Sequence, residues 1–197
     1  MGPDAAVLVV DMQNGFCSVG GSLAADESAL ARYAQLSPQI QGLCRAARAS
    51  GSRVIYTRHG YRPGYPEMGH ELRTLHPEVV RTGGMVWGAW DTAIVDELAP
   101  QQHDVIVRKS RFDSFLGTDL ELVLRAGEVR RLVVCGVSTN VCVETTVRSA
   151  SQRGYEVAVA SDATAASSAS LHESALSSMR YAFATVAPWR ALVPGSH

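Results

Sequence analysis

The 197-residue sequence predicts an α/β fold: a single three-layer α/β/α domain built on a doubly wound, mostly parallel, six-stranded sheet. First, short apolar runs alternate with helical stretches along the chain, which favours parallel strands joined by right-handed crossovers. Second, the run 6–10 is apolar without interruption, which is typical of a central strand covered on both faces. Third, the length suits one domain with a sizeable core.

In the first half of the chain, runs rich in Val and Ile predict strands at 6–10, 53–57 and 104–107. The stretch 24–50 is predicted to be helical, because its apolar residues recur at helical spacing. Ser37-Pro38 is expected to mark a break or a new helix start, since proline is well tolerated in the first helical turn.

The segment 61–88 is the least regular part of the sequence. It contains several glycines together with Pro63, Pro66 and Pro77. A long irregular segment inside a compact domain often covers a substrate, so a loop with that role is predicted here. The stretch 91–98 that follows is expected to form a short helix, which Pro100 ends.

The second half of the chain continues the alternation. Strands are predicted at 132–135, 155–160 and 183–186, and helices at 119–126, 139–153 and 170–181. Ser170, with Glu173 three residues later, has the spacing of a helix-capping box. The tail, Leu192–His197, shows no periodicity and is expected to be frayed or disordered.

Composition and charge exclude several classes of function. The formal net charge is -1, so neither nucleic acid nor an anionic membrane surface is an expected partner. No apolar run approaches the length of a membrane span, and residues 1–6 lack the basic start of a signal peptide. The cytoplasm is therefore the expected location. G-x-G-x-x-G and G-x-x-x-x-G-K-[ST] are absent, so the Rossmann-like sheet is not expected to bind a dinucleotide or to act as a P-loop kinase.

The stretch 132–144 carries the strongest indication of a reactive site. A buried strand ends at Gly136, a sharp turn follows, and Thr139 and Asn140 are residue types that favour a helix start. Cys142 would then lie in the first helical turn, where the helix dipole favours a thiolate and free N–H groups can bind an oxyanion. A free cysteine is, however, equally often a small buried apolar residue, and position alone leaves both interpretations open.

The other cysteines show no metal or disulfide pattern, because no C-x-x-C pair and no histidine at zinc-ligand spacing occurs. Cys44 and Cys135 are predicted to be packing residues, and Cys17, in a glycine-containing loop, is a weaker rival nucleophile. Asp11 and Lys109 each follow a predicted strand, at the sheet edge where open α/β sheets form ligand sites.

The combination of motifs resembles the isochorismatase-like cysteine hydrolase family over about 6–186. The motifs are the Val-Val-Asp-Met-Gln opening at 9–13, Lys109-x-x-Phe112-x-x-Phe115, and Gly-Val-Ser-Thr-Asn-Val-Cys-Val-Glu at 136–144. The resemblance implies a catalytic triad of Asp11, Lys109 and Cys142, and an isochorismatase-like hydrolase domain that spans residues 1–197.

In the chemistry that the resemblance implies, Asp11 is the general base, Lys109 favours the thiolate, and Cys142 attacks a carbonyl to form a thioester. A cis peptide bond at Val137-Ser138 would turn the backbone N–H groups of Ser138 and Cys142 toward the oxyanion. The expected substrate is a small amide, carbamoyl or ureido compound, whose C–N bond is cleaved with release of ammonia or an amine.

Two alternatives lie within the same family. An isochorismatase-type vinyl ether hydrolase needs no cysteine nucleophile, so the presence of Cys142 argues against it. A nicotinamidase-like amidase carries a D-x-H metal motif that this chain lacks, so His59, His70 and His76 are not expected to bind a metal and no cofactor is predicted. A third alternative, a redox-sensor thiol, needs neither Asp11 nor Lys109.

The substrate pocket is expected to contain aromatic and basic side chains near the strand ends. The predicted substrate-binding residues are Phe16, Arg58, His59, Trp90 and Phe115. Arginine would suit a substrate carboxylate, although surface ion pairs are its commoner role. Because family members commonly associate, a homodimer or homotetramer is expected.

Overall fold

The computed structural model describes residues 1–24 and 26–193. Within these residues one sheet has six strands: β1 Ala5–Val10, β2 Arg53–His59, β3 Val105–Lys109, β4 Arg131–Val137, β5 Glu156–Ala165 and β6 Thr185–Ala187. The strand order is β3-β2-β1-β4-β5-β6, and every neighbouring pair is parallel. The chain therefore winds outward twice from β1, which confirms the predicted doubly wound α/β fold.

Helices connect the strands. They are α1 Asn14–Cys17, α2 Glu27–Ala34, α3 Leu36–Ala49, α4 His70–Leu75, α5 Pro77–Thr82, α6 Leu120–Ala126, α7 Glu144–Gln152, α8 Ala169–Ala182 and α9 Trp189–Leu192. Short 3₁₀ turns lie at Trp90–Thr92 and Asp96–Leu98, and a π-helical turn lies at Thr139–Val143.

Two apolar layers cover the two faces of the sheet. On one face, buried residues of α2, α3 and α9, such as Tyr33, Ile40 and Trp189, pack with Val7 and Val9 of β1. On the other face, residues of α6, α7 and α8 pack with alternate β1 residues, Ala6, Leu8 and Val10. All six residues of β1 are buried, as its uninterrupted apolar sequence predicts.

Gly136 determines how closely β4 approaches β1. Its φ is +107°, and a Cβ at this position would lie 2.1 Å from the carbonyl oxygen of Val10. Only glycine fits this approach, because any side chain would collide with the neighbouring backbone. The ends of β1 and β4, which carry Asp11 and the Cys142 turn, are thus held side by side.

The segment 61–88 is less irregular than predicted, since it contains α4 and α5, with Pro77 at the first position of α5. The helix predicted at 91–98 is wrong. The backbone of this stretch pairs with the loop after β1: Asn14 N–H donates to the Ala93 carbonyl, and Val95 N–H donates to the Met12 carbonyl. These tertiary bonds take the groups that a helix would need and leave two 3₁₀ turns.

Two helix boundaries also differ from prediction. The first of the two helices in 24–50 ends at Ala34, and α3 begins at Leu36, before Pro38. Helix α8 begins at Ala169 with Ser168 as its cap, rather than with Ser170. Of the predicted tail, Leu192 ends α9 and Val193 is buried, while residues 194–197 lie outside the described residues.

Candidate active site

The three predicted catalytic residues come together at the carboxyl ends of three strands. Asp11 directly follows β1, Lys109 is the last residue of β3, and Cys142 lies in the π-helical turn after β4. All three are buried. Lys109 Nζ lies 2.6 Å from Asp11 Oδ2, and the thiol of Cys142 interacts with both partners.

Asp11 reaches this cluster because its backbone leaves the extended conformation. Its φ is +51°, in the left-handed region that Asp tolerates better than most residues. Val10 faces the α6–α7 side of the sheet, so simple alternation would send Asp11 to the opposite face. Thr57 Oγ1 fixes the turned residue: it donates to Asp11 Oδ1 at 2.7 Å and accepts from Asp11 N–H at 3.2 Å.

Lys109 is a buried cation whose ammonium group contacts three polar partners. Its Nζ donates to the carbonyls of Arg111 at 2.9 Å and Phe112 at 3.2 Å, in addition to the contact with Asp11. Burial alone would lower the pKa of Lys109, but the nearby groups of Asp11 and Cys142 outweigh it and raise the pKa above its usual value. Lys109 therefore stays charged in the folded protein.

The resting state of Cys142 differs from the thiolate expected for a helix start. Burial raises its pKa well above the usual value, and the opposing positive charge of Lys109 does not compensate. The carboxylate of Asp11 raises this pKa further. Cys142 is thus a neutral thiol in the free protein, and it needs a base to become a nucleophile.

A cis peptide bond and several hydrogen bonds determine the conformation of the turn that carries Cys142. The peptide bond Val137-Ser138 is cis, and the Ser138 carbonyl accepts from the N–H groups of Val141 and Val143. These two bonds use neither the N–H of Ser138 nor that of Cys142. The Ser138 hydroxyl lies 3.0 Å from the hydroxyl of Tyr33, which is buried on α2.

Thr139 does not cap the helix as its residue type suggested. Among the described residues, no side chain caps the start of either the π-helical turn or α7. Instead, Thr139 Oγ1 lies 3.1 Å from Thr164 Oγ1 and 2.9 Å from His172 Nδ1. Its hydroxyl ties the turn to β5 and α8, so tertiary contacts replace the local cap.

His59 lies beside Lys109 in register on the neighbouring strand. Its backbone N–H and carbonyl are both held by the side chain of Gln13, at 2.6 Å and 2.9 Å. Its ring Nε2 lies 2.7 Å from the Tyr61 hydroxyl. Burial, followed by the charge of Lys109, lowers the pKa of His59 to about 3, so the imidazole is neutral near pH 7.

Aromatic rings surround this imidazole. Phe16 contacts it edge-on, with ring centroids 6.1 Å apart, and Phe112 stacks on it at 6.4 Å. The predicted substrate-binding residues Phe16 and His59 therefore lie next to each other and, through Lys109, next to the triad. The structure thus places both residues beside the cluster of Asp11, Lys109 and Cys142.

The other three predicted pocket residues have other neighbours. The Arg58 guanidinium donates to the Thr92 carbonyl and lies over the Trp87 ring, because strand alternation turns it away from His59. Trp90 is 54% exposed.

Phe115 is buried in the same apolar cluster as Cys142. Its ring lies 5.9 Å from the ring of Tyr155, and the Arg153 guanidinium covers it.

Several residues of the site were not predicted: Gln13, Tyr33, Thr57, Tyr61 and Arg111. Gln13 and Tyr61 lie close in sequence to predicted residues, and alternation along β2 places Thr57 on the same face as His59. For Tyr33, neither sequence proximity nor strand alternation indicates a place in the site, because only the packing of α2 brings it to Ser138.

Burial also raises the pKa of the other three cysteines: that of Cys17 to about 12, that of Cys44 to about 11, and that of Cys135 well above its usual value. Among the described residues, no three His, Cys, Asp or Glu side chains are grouped so that they could hold a metal ion. In the same residues no helix has the length and apolar character needed to cross a membrane.

A family model described as the isochorismatase domain matches residues 5–191. The chain belongs to the isochorismatase family. This confirms the resemblance drawn from the motifs. A curated relative, the ureidoacrylate amidohydrolase of Caulobacter vibrioides, is 36% identical over 170 residues, which cover 81% of this chain and 76% of the relative.

Solved structures of the isochorismatase family agree with this fold. A cysteine hydrolase from Pseudomonas syringae pv. phaseolicola superposes with a TM-score of 0.89 at 36% identity, covering 98% of this chain and 92% of the other. The N-carbamoylsarcosine amidase from Thermoplasma acidophilum gives a TM-score of 0.74 at 26% identity, over 94% and 96% of the two chains. These relatives confirm the predicted class of enzyme, a hydrolase acting on non-peptide carbon–nitrogen bonds.

Proposed function

We propose that this enzyme hydrolyses a terminal ureido or carbamoyl group through a thioester on Cys142. The observation that carries the proposal is the buried contact of Asp11 and Lys109 with the Cys142 thiol. The named activities of the ureidoacrylate amidohydrolase and the N-carbamoylsarcosine amidase support this substrate class.

In the first step, Asp11 takes the proton from Cys142 as the sulfur attacks the substrate carbonyl. A base is required because the resting thiol is neutral. The oxyanion that forms is stabilised by the backbone N–H groups of Ser138 and Cys142. Lys109 holds Asp11 in place and compensates its charge while the proton moves.

In the second step, the tetrahedral intermediate collapses and the C–N bond breaks. Asp11 returns its proton to the departing nitrogen, which leaves as ammonia or an amine. Water then attacks the thioester with Asp11 again as base, and the Cys142 thiol is restored. With a carbamoyl thioester, the product is carbamic acid, which decomposes to carbon dioxide and an amine or ammonia.

The test is ammonia release from a panel of small amides, carbamoyl and ureido compounds, run with the wild type and with Cys142→Ala. We expect release by the wild type alone. Turnover that survives in Cys142→Ala would overturn the thioester mechanism and favour an acid-catalysed hydrolysis by Asp11, as in the vinyl ether alternative. Absence of ammonia from all ureido and carbamoyl compounds would overturn the proposed substrate class.

We also propose that residues 1–197 act as one hydrolase domain, in the cytoplasm, as a homodimer or homotetramer. These proposals are supported by the family resemblance. Light scattering coupled to gel filtration tests the assembly, and a monomeric mass at micromolar concentration would contradict it.

A further inference from the structure

A chain of three hydrogen bonds connects α8 to the end of β4. His172, in the first turn of α8, places its Nδ1 2.9 Å from Thr139 Oγ1. Thr139 Oγ1 also lies 3.1 Å from Thr164 Oγ1, and Thr164 Oγ1 donates to the Gly136 carbonyl at 2.7 Å. Both threonines are buried and His172 is half-buried, so most of this chain is shielded from water.

These three bonds can run in one direction only, because a hydroxyl group has a single hydrogen to donate. The hydrogen of Thr164 is used on the Gly136 carbonyl, so Thr164 Oγ1 accepts from Thr139. The hydrogen of Thr139 is thereby used as well, and Thr139 Oγ1 can only accept from His172. His172 therefore carries a proton on Nδ1.

The charge of His172 agrees with this direction. Burial lowers the pKa of its imidazole, while the carboxylate of Glu173 acts in the opposite sense without reversing the change. The ring is thus neutral near pH 7. Its one proton lies on Nδ1, and Nε2 is unprotonated.

The chain of bonds acts on the turn that carries Cys142. Gly136 is the last residue but one of β4, and the π-helical turn Thr139–Val143 contains Cys142. Thr164 is the partner of Gly136 in the register of β4 and β5, so the chain ties the first residue of the turn to the sheet. The position of the Cys142 thiol therefore depends on where Thr139 is held.

Two helices hold this turn from opposite faces of the sheet. Tyr33 of α2 bonds to the Ser138 hydroxyl, and His172 of α8 bonds to Thr139. Ser138 and Thr139 are adjacent, so the two bonds together restrain the entry to the turn.

We propose that His172 is a positioning residue for Cys142, which it holds by donating its Nδ1–H to Thr139. It acts through Thr139 and not on the substrate, and it exchanges no proton with Cys142 or Asp11. The role rests on the proposed function, since it is Cys142 as nucleophile that the turn must hold in place.

The test compares two amide variants that replace different ring nitrogens. His172→Asn places an N–H near the position of Nδ1, whereas the longer side chain of His172→Gln places it near the position of Nε2. We expect His172→Asn to keep most of kcat, and kcat of His172→Gln and His172→Leu to fall about fivefold, which is the effect of one buried hydrogen bond. KM for the same ureido or carbamoyl compound should change little. Equal kcat values in His172→Asn and His172→Gln, at equal melting temperatures, would overturn the assignment.

A double variant shows whether His172 acts through Thr139. Thr139→Val removes the hydroxyl, and Thr139→Ser is its control because it keeps the hydroxyl. His172→Leu combined with Thr139→Val should be no slower than Thr139→Val alone, since both changes break the same bond. Fully additive losses would show that His172 acts by another route and would overturn the proposal.

The direction of the chain can be observed without turnover. Nitrogen-15 chemical shifts at pH 7, assigned with His172→Asn, report which ring nitrogen of His172 carries the proton. We expect protonated Nδ1 and bare Nε2. The reverse tautomer would contradict donation to Thr139.

Alkylation of Cys142 separates this proposal from the proposed function, because it needs no substrate. Iodoacetamide should react with Cys142 faster in His172→Leu and His172→Gln than in the wild type or His172→Asn, since a less firmly held turn exposes the buried thiol more often. This difference without ammonia release from any compound would support the role of His172 and contradict the proposed reaction. Ammonia release with equal kcat and equal alkylation rates in all four proteins would leave the thioester mechanism standing and remove the positioning role.

Discussion

Lys109 Nζ and Asp11 Oδ2 lie 2.6 Å apart, with both side chains almost entirely removed from solvent. In this buried environment, each charge offsets the desolvation cost of the other. Loss of one partner from a buried ion pair leaves the other uncompensated, which typically costs about 3–5 kcal/mol. The pair thus makes the stability of the fold depend on two of the proposed catalytic residues.

Lys109→Met should therefore lower the free energy of unfolding by roughly 3–5 kcal/mol and abolish activity. The double variant Asp11→Asn with Lys109→Met should recover much of the stability, since no charge is left buried, but no activity. Urea denaturation and ammonia release measure the two effects. If the double variant were as unstable as the sum of the single variants, the ion pair would not be the source of the coupling.

Alkylation of Cys142 should be slow in the free enzyme. Because burial raises its pKa, the thiolate is a minor species at pH 7, and the rate with iodoacetamide should fall well below that of an unhindered thiol and rise with pH. Mass spectrometry of the alkylated peptide gives the rate for Cys142, with Cys142→Ser as the control. Rapid, pH-independent alkylation between pH 6 and 8 would show a resting thiolate instead.

The free energy of unfolding should decrease as the pH falls from about 6.5 toward 3. His59 has its pKa lowered to about 3, so in this range the unfolded chain binds a proton that the folded chain does not. Each such proton contributes up to about 1.4 kcal/mol per pH unit. His172, whose pKa is also lowered by burial, acts in the same direction.

Urea denaturation at pH 7 and pH 5 tests this prediction. The difference between the two pH values should be smaller in His59→Asn than in the wild type. His70→Asn, which changes an exposed histidine on α4, is the matched control. Identical pH dependence in all three proteins would contradict a neutral, buried His59.

The Tyr33–Ser138 hydrogen bond should support the oxyanion site. Tyr33→Phe removes one hydroxyl at constant shape, and we expect kcat to fall about fivefold, since a buried hydrogen bond contributes about 1 kcal/mol. KM should change little if the bond acts on the transition state. Ser138→Ala should have a similar effect, and the double variant should be no worse than either single one. Additive losses would show that the two hydroxyls act independently.

The sequence predicted the strands and their alternation with helices, and it placed the three candidate catalytic residues after strands, because the strands are plain apolar runs followed by polar residues. Asp11, Lys109 and Cys142 could be placed at one edge of the sheet from topology alone. The helix predicted at 91–98 was wrong, since its backbone groups bond to residues far away in the chain.

The substrate pocket was less predictable. Alternation along β2 directs the side chain of Arg58 away from that of His59, toward the Thr92 carbonyl. The protonation state of Cys142 also escaped prediction, because the cost of burial depends on a packing that no local pattern encodes. Local rules thus located the proposed reacting groups, whereas tertiary packing determines their protonation states.

The contact between Gly136 and Val10 acts as a spacer for the reaction. Asp11 follows Val10 directly, and Cys142 lies six residues beyond Gly136, so the distance between the proposed base and the proposed nucleophile depends on how closely these two backbones approach. A single methyl group at position 136 would separate the strands and widen the gap that the proton must cross. The precision of the proposed proton transfer is therefore determined within the sheet, at Gly136, which lies outside the group of side chains proposed to react.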